Sequence, residues 1–267
     1  MRSRWHDMGR ALKRAIFSKN RVSLTGHRFS VVYEARGARE DRDYPVLCEL
    51  ARGQRCIFDV GANMGLTSLL MASEMDRKGR IYAFEASEEA CRIIKENTAL
   101  NGFEGRIQVV NAVVWEKSGM TLDFFWDFAS GGASTVEGYL GHRYSLSKVT
   151  LSLDDFVSQT DQAPDVVKVD VEGAEARVIA GMQRTMGAHR PAVMVELHSW
   201  KEMTVEQNAA TILSLLRGME YEMIYLRTKQ AIEDVSVLRG RGRTHVLLWP
   251  KERPLPAWLS STDTQRL

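Results

Sequence analysis

Ile57-Phe58-Asp59-Val60-Gly61-Ala62-Asn63-Met64-Gly65 is the stretch whose reading decides the fold of this chain. A short apolar run ends in an acid, turns on two glycines and enters a helix-like segment from Leu66 to Met75. A second apolar run, Ile81-Tyr82-Ala83-Phe84, follows and closes on Glu85. This is the outline of a β-α-β unit with a glycine turn after its first strand and an acid at the tip of its second. In such units the glycines let a ligand lie close against backbone, and the acid is placed to accept hydrogen bonds from a ribose.

The same rhythm continues outward. The pattern predicts strands over 56–60, 80–84, 107–114, 166–171, 192–197, 221–227 and 244–249. It predicts helices over 44–52, 65–75, 87–101, 174–187 and 204–219. Ser87-Glu88-Glu89-Ala90 opens the third of these with a capping serine and acids at its positive end, and Asn101-Gly102 closes it. Apolar strands alternating with helices imply an α/β fold: a mostly parallel, seven-stranded Rossmann-like sheet covered by helices on both faces. The rhythm breaks over 118–150, where Phe124, Phe125, Trp126 and Phe128 precede Gly131-Gly132-Ala133-Ser134. This insert reads as two extended segments joined by a long loop, its aromatics facing a sheet interior. A hairpin around Thr25-Gly26-His27 is expected upstream.

The turn after the first strand is informative for what it lacks. A pyrophosphate site needs three glycines in the order G-x-G-x-x-G. Here Gly61 and Gly65 are spaced G-x-x-x-G, and Asp59 precedes them. That acid would repel a pyrophosphate but suits a ligand carrying an ammonium group. S-adenosylmethionine, with an amino acid at one end, a ribose and adenine at the other and no phosphate, fits the pattern. An NAD-dependent oxidoreductase would want the missing third glycine. A binding protein that keeps the shell without the chemistry would have no use for the acid–glycine–acid set.

Open α/β sheets bind ligands beyond the carboxyl ends of their strands. The residues there are Asp59 to Gly65, Glu85, Asn111-Ala112, Asp170 with Glu172, and Glu196 with His198. Residues 55–199 resemble the FkbM-type S-adenosylmethionine-dependent methyltransferases. The resemblance is carried by Phe58 to Gly65, Tyr82-Ala83-Phe84-Glu85, Gly131-Gly132-Ala133-Ser134, Leu153-Asp154-Asp155, Lys168 to Glu175, and Val195-Glu196-Leu197. Where that family usually has a proline after the second acid, this chain has Ala86-Ser87. The resemblance implies O-methylation of a hydroxyl on a sugar, glycan or secondary metabolite. It implies that Gly61, Ala62, Asn63 and Gly65 wall the methionine part of the cofactor, with Asp59 near its ammonium. Glu85 would hold the ribose, Asn111 and Ala112 would border the adenine, and Asp170 would border both cofactor and acceptor.

A hydroxyl is a poor nucleophile until it loses its proton, and a positioned base contributes roughly 10²–10⁴-fold. His198 is the first candidate, on the premise that an ordinary imidazole is largely neutral at pH 7. Asp170, Glu172 and Glu196 are further catalytic candidates, and Glu175 is a rival base or a support for its helix N-terminus. Lys168, inside an apolar strand, needs a carboxylate partner. Asp154, Asp155, Asp170, Glu172, Glu196 and His198 offer donors for a magnesium-like ion. No tight ligand motif is visible, and a site without metal is the expectation.

Composition adds bounds. A formal charge of +2 gives no global field for nucleic acid, and three cysteines are too few for a disulfide framework. No apolar run is long enough to cross a bilayer and no signal-peptide core is seen, so a cytoplasmic protein is expected. Residues 1–21 are strongly basic, with Trp5, Met8, Leu12 and Ile16 at helical spacing. Such a stripe can rest weakly on a membrane surface, but docking on the domain or on a second subunit of a homo-oligomer is the expectation. The division read from the sequence is an extension and hairpin over 1–40, a methyltransferase domain over 41–250 and a tail over 251–267.

Overall fold

The computed structural model describes residues 20–126, 133–134, 144–200 and 203–260. The basic stretch before Asn20, Phe128, Gly131-Gly132 and the end of the tail lie outside them.

The strands in chain order are β1 (Arg21–Leu24), β2 (His27–Ser30), β3 (Cys56–Val60), β4 (Arg80–Glu85), β5 (Ile107–Asn111), β6 (Val113–Val114), β7 (Thr121–Trp126), β8 (Ala133–Ser134), β9 (Tyr144–Leu151), β10 (Val166–Val169), β11 (Ala192–His198), β12 (Tyr221–Tyr225), β13 (Gln230–Ala231) and β14 (Arg243–Pro250). The main sheet runs β13-β12-β14-β11-β10-β3-β4-β5. From β11 to β5 all neighbours are parallel. β14 enters antiparallel between β11 and β12. The expected seven strands are therefore present, with the two-residue β13 added at one edge. The chain builds outward from β3 through β4 to β5, then restarts at β10 on the other side of β3. The reversal falls between β3 and β10, where ligands of such sheets lie.

Both faces are covered, which is why the strands are apolar on both sides. Ile57, Ile81, Ala83, Val166 and Met194 pack against the helices Tyr44–Ala51, Leu66–Glu74 and Glu88–Leu100. Phe58, Phe84, Val167, Val193 and Val195 face Leu153–Thr160, Glu175–Ala180, Gln183–His189 and Val205–Leu215. Phe156 stacks edge-on against Phe58 and Phe84 at ring-centre distances of 5.4 and 4.9 Å, a geometry worth about 1 kcal/mol per pair beyond burial.

Two local readings change. The expected strand over 107–114 divides at Ala112: β5 stays in the main sheet, while β6 pairs with β9 in a second sheet of order β6-β9-β7-β8. The extended halves of the insert, β7 and β9, pair antiparallel, and Phe124 packs with Ala86 and Val113 between the two sheets. The expected helix over 174–187 breaks at Gly181. A side chain there would lie 2.1 Å from the Trp115 carbonyl oxygen, so a close backbone crossing sets the break. The three cysteines are free, and no helix among the described residues is long and apolar enough to cross a membrane.

Candidate active site

The glycine turn is locked from both sides. Gly61 N–H and Ala62 N–H both donate to the Phe84 carbonyl, at 3.0 and 3.1 Å. Gly61 has φ +79°, and a Cβ on it would sit 1.8 Å from the Asp170 carbonyl oxygen. The tips of β3, β4 and β10 therefore meet at one point that only glycine permits. Gly65, also at φ +79°, starts the helix Leu66–Glu74 directly against Ile94. Asn63 lies exposed at the crest with φ +50°.

Glu85 ends β4 buried, and its two oxygens accept from Asn63 N–H and Ser87 N–H at 2.8 Å each. Burial pushes its carboxyl up to about 6 despite those backbone donors. Each carboxylate oxygen keeps a second lone pair, so a pair of hydroxyls can still be accepted. The Asn111 amide donates to the carbonyls of Glu85 and Ala86, and its Oδ1 accepts from Lys148 of β9 at 3.1 Å. Ala112 N–H donates to the Glu85 carbonyl at 3.2 Å. These two residues thus brace the rim and tie the insert to it.

Asp59 lies deeper than its sequence position suggests. It is fully buried, and its Oδ2 accepts from Thr67 and Ser68 hydroxyls at 2.8 and 2.6 Å. Its Oδ1 faces Lys168 Nζ at 3.5 Å. Lys168 also pairs with Asp170 at 3.1 Å, so the carboxylate partner required of a buried lysine is present twice over. Burial works against its charge, but Asp170, Asp59 and Glu196 outweigh it and hold the ammonium above its ordinary range. Burial likewise opposes the Asp170 charge, and Lys168 and His198 hold that carboxyl below its usual value.

Beside this pair the strand ends gather a charged cluster. His198, at the end of β11, is buried and directs Nδ1 to Glu175 Oε1 at 2.8 Å. Its Nε2 faces Glu172 at 3.4 Å, Glu196 at 3.6 Å and Asp170 at 3.9 Å. Burial alone would push the imidazole down. The Glu175 hydrogen bond and the charges of Glu175, Glu172 and Asp170 overcome it and hold the ring up at about 9. The premise of an ordinary imidazole at His198 is therefore corrected: the surrounding carboxylates favour the protonated ring and raise it above its usual range. Glu196 pairs with Arg243 at 3.0 Å and with His245 at 3.2 Å. Burial opposes the His245 charge as well, but hydrogen bonds to Asp43 and Glu196 hold it up at about 10.

Lys168, Asp170, Glu196, Arg243 and His245 line a cavity of about 140 Å³ that Asp41, Asp43, Tyr44, Leu47, Thr67 and Met194 complete. Whole ligand sites run to about 300–1,000 Å³, so this space takes one end of a ligand. Asp170, Glu196 and His198 can present one donor each to a common point, as can Asp41, Asp43 and His245. Asp154 and Asp155 are not part of this group. Asp154 accepts from Arg184 and Thr185 backbone N–H groups, and Asp155 from Ser118 and Arg184.

Asp41, Asp43, Thr67, Ser68, Asn208, Arg243 and His245 escaped the reading of the sequence. Thr67 and Ser68 leave a trace, as two hydroxyls opening an otherwise apolar helix. His245 interrupts a strand pattern. Asp41 and Asp43 precede the helix Tyr44–Ala51 and carry no local sign of where that helix packs.

Comparison with known proteins gives this geometry its family. Residues 59–223 match the FkbM methyltransferase domain, more than half of the chain. The chain belongs to the FkbM methyltransferase family. The hexuronic acid methyltransferase AglP of Haloferax volcanii is 28% identical over 187 residues, which cover 67% of this chain and 73% of AglP. The cofactor-bound structure of Rv0187 from MTB shares the fold, with a TM-score of 0.50 at 13% identity over 82% of this chain and 84% of Rv0187. The FkbM methyltransferase structure from Methylobacillus flagellatus KT gives a TM-score of 0.49 at 16% identity over 74% of this chain, which spans 44% of that protein. The Rossmann-like sheet of this methyltransferase is the expected one.

Proposed function

We propose that this methyltransferase moves the methyl group of S-adenosylmethionine to a hydroxyl oxygen of a sugar or glycan. The observation that carries the reading is the meeting of β3, β4 and β10 at Gly61. That approach joins the strand ends that carry Glu85 and the acid–histidine cluster of Asp170, Glu172 and His198, which supports a ribose role for Glu85 beside an acceptor site. A nucleoside held at Glu85 and an acceptor held at the cluster would then face each other across the Asp170 carbonyl.

The residues fit the cofactor. Gly61, Ala62, Asn63 and Gly65 shape the turn, their N–H groups held within the protein and Asn63 exposed at its crest, and Glu85 has acceptor capacity to spare. Ala112 lies at the rim where an adenine would stack, and Asn111 braces it. Asp59 contributes through Lys168 and Thr67, which separate it from the cavity, and Asp170 is the carboxylate left to meet a cationic ligand. When bound, the cofactor supplies an activated methyl group, and the chain's task is alignment and removal of one proton. The AglP match supports a glycan acceptor, since that relative is named for a hexuronic acid.

Calorimetry with S-adenosylhomocysteine tests the cofactor half. Micromolar binding that Glu85→Ala weakens at least tenfold is expected; a Glu85→Ala protein with unchanged affinity overturns the site. Mass spectrometry of glycans incubated with the enzyme and labelled cofactor tests the other half, and a label lost on mild ester hydrolysis or found on nitrogen would exclude a hydroxyl acceptor.

A further inference from the structure

We infer that the cavity between the turn at residues 41–44 and β14 is the ring subsite of the acceptor, and that it selects an uncharged, hydroxyl-bearing sugar over one that carries a carboxylate. The inference rests on the glycan reading above. It adds the charge class of the acceptor and two residues, Asp43 and Tyr44, that choose it.

Half of this cavity comes from outside the region that family membership describes. The domain match covers residues 59–223 and supplies Thr67, Lys168, Asp170, Met194 and Glu196. Asp41, Asp43, Tyr44 and Leu47 enter from before it, and Arg243 and His245 from after it. The two flanks are stitched to each other. Tyr44 N–H donates to the Asp41 carbonyl at 3.2 Å and closes the turn. Asp41 then pairs with Arg243 at 3.1 Å and Asp43 with His245, which ties the turn to β14. Pro45, in the first turn of the helix Tyr44–Ala51, pre-sets the direction in which Tyr44 and Leu47 are carried. The space enclosed is about 140 Å³, room for one six-membered ring, since an apolar cavity of roughly 150 Å³ holds a benzene.

The polar groups on these walls are mostly acceptors in search of donors. Glu196 is 7% exposed, and its Oε1 has no hydrogen-bond partner among the described residues. The Arg243 guanidinium stands 3.0 Å from that oxygen but off the line that a hydrogen bond needs. Asp43 meets His245 through Oδ2, and Asp170 meets Lys168 through Oδ2. The Oδ1 atoms of both accept no hydrogen bond from a described side chain or backbone group. Tyr44 adds a phenol that burial raises above its ordinary value, so it stays protonated, and its hydroxyl has no partner among the described residues. Sugar hydroxyls, each a donor and an acceptor at once, satisfy such a lining.

A carboxylate does not. It brings acceptors only, and the inner cations have no donor left for it. Both His245 nitrogens face carboxylates, Asp43 and Glu196. The Lys168 ammonium is shared among Asp170, Asp59 and the Gly61 carbonyl. Arg243 has donors to spare, but its side chain is 59% exposed. Charge points the same way. Even with His245 counted as a cation, four acids on the lining outnumber three cations, and Asp59 lies behind Lys168. A like charge about 8 Å away, at an effective dielectric near 20, weakens binding by more than a factor of ten. An ammonium is not called for either, because each of these carboxylates already touches one cation. The acceptor ring is thereby set apart from the hexuronic acid for which AglP is named.

Saturation-transfer NMR titrations of the full chain test this at pH 8, where uronic carboxyls are ionised. The probes are the methyl glycosides of glucose, galactose and mannose and those of the three matching uronic acids. At least one neutral glycoside is expected to bind in the millimolar range, ten times or more tighter than its uronic counterpart. Tyr44→Phe and Asp43→Asn should each weaken that sugar at least threefold, while calorimetry finds S-adenosylhomocysteine affinity within twofold of the wild type. Tyr44→Phe removes an oxygen that bonds to nothing in the protein, so it decides alone should Asp43→Asn fail to fold. A uronic glycoside bound as well as its neutral counterpart overturns the proposal, as does no binding of any neutral glycoside or unchanged sugar affinity in Tyr44→Phe. Weakened S-adenosylhomocysteine binding in Tyr44→Phe also overturns it, by giving the cavity to the amino-acid end of the cofactor. Sugar selectivity without any heat from S-adenosylhomocysteine sinks the cofactor reading and leaves the subsite standing.

Discussion

Gly61→Ala probes the crossing on which the site is built, and Gly102→Ala supplies its control. Both glycines hold positive φ, +79° and +73°. An alanine forced into that region costs roughly 1–2 kcal/mol at either position. Only Gly61 faces an obstacle: its added methyl would lie 1.8 Å from the Asp170 oxygen and 2.8 Å from the Asp170 carbonyl carbon, while Gly102 has nothing within 4 Å. Backbone cannot rotate aside as a long side chain can, so β3 and β10 must separate at their tips. Overpacking of that kind costs about 1–3 kcal/mol more. Urea unfolding should therefore place Gly61→Ala about 2–5 kcal/mol below the wild type, and Gly102→Ala about 1–2 kcal/mol below. Because Asp170 moves with the strand tip, S-adenosylhomocysteine affinity should fall at least tenfold in the first variant and stay within twofold in the second. Equal destabilisation of the two would refute the reasoning, since it would mean that the close approach costs nothing.

Three further outcomes follow from the charges. Lys168→Met strands Asp59 and Asp170 without their cation, and should cost about 3–5 kcal/mol in urea unfolding; adding Asp59→Asn should recover part of that loss, and a strictly additive double variant argues against the pairing. On the proposed ribose role, Glu85, raised to about 6, must be ionised to accept both hydroxyls, so S-adenosylhomocysteine affinity should weaken as pH falls through about 6 and be flat above 7; a flat profile down to pH 5 counts against that role. His245, held up at about 10, stabilises the fold fully below its unfolded value near 6.5 and loses that contribution as pH rises toward 10. The loss is on the order of 5 kcal/mol, and His245→Asn should remove this alkaline slope from the unfolding midpoint; a slope that persists places its origin elsewhere.

The parts of this molecule legible in the sequence are those whose cause is local. Ser87 caps its helix by accepting from Ala90 N–H, as its position before two acids implies, and Thr25-Gly26 turns the β1–β2 hairpin with both residues at positive φ. The glycine turn between β3 and its helix was legible for the same reason, because a strand, a turn and a helix start are contiguous in the chain. The acid–histidine cluster was only half legible. Asp170, Glu172, Glu196 and His198 stand at strand ends and could be named, but the groups that pair with His198 and Glu196, namely Glu175, Arg243 and His245, come from other elements. An ordinary imidazole value was the only one available from the chain, and packing replaced it.

That replacement bears on how the site divides its work. Asp59 has the sequence position of a cofactor ligand, yet it spends its oxygens on Thr67, Ser68 and Lys168. Lys168 in turn restrains Asp170, the acid that lines the cavity. Negative charge is thus relayed outward, from a buried acid through a lysine to an acid at the surface of the cavity. A buried pair of this kind adds little net stability, but it pins the Asp170 carboxylate in one orientation against the Gly61 carbonyl edge, where Lys168 Nζ also reaches the Gly61 oxygen at 3.4 Å. The glycine turn and the acidic cluster therefore share a lysine as well as a backbone crossing. A perturbation on either side should be felt on the other, and that is why Lys168→Met should weaken S-adenosylhomocysteine binding even though the ligand need never touch Lys168.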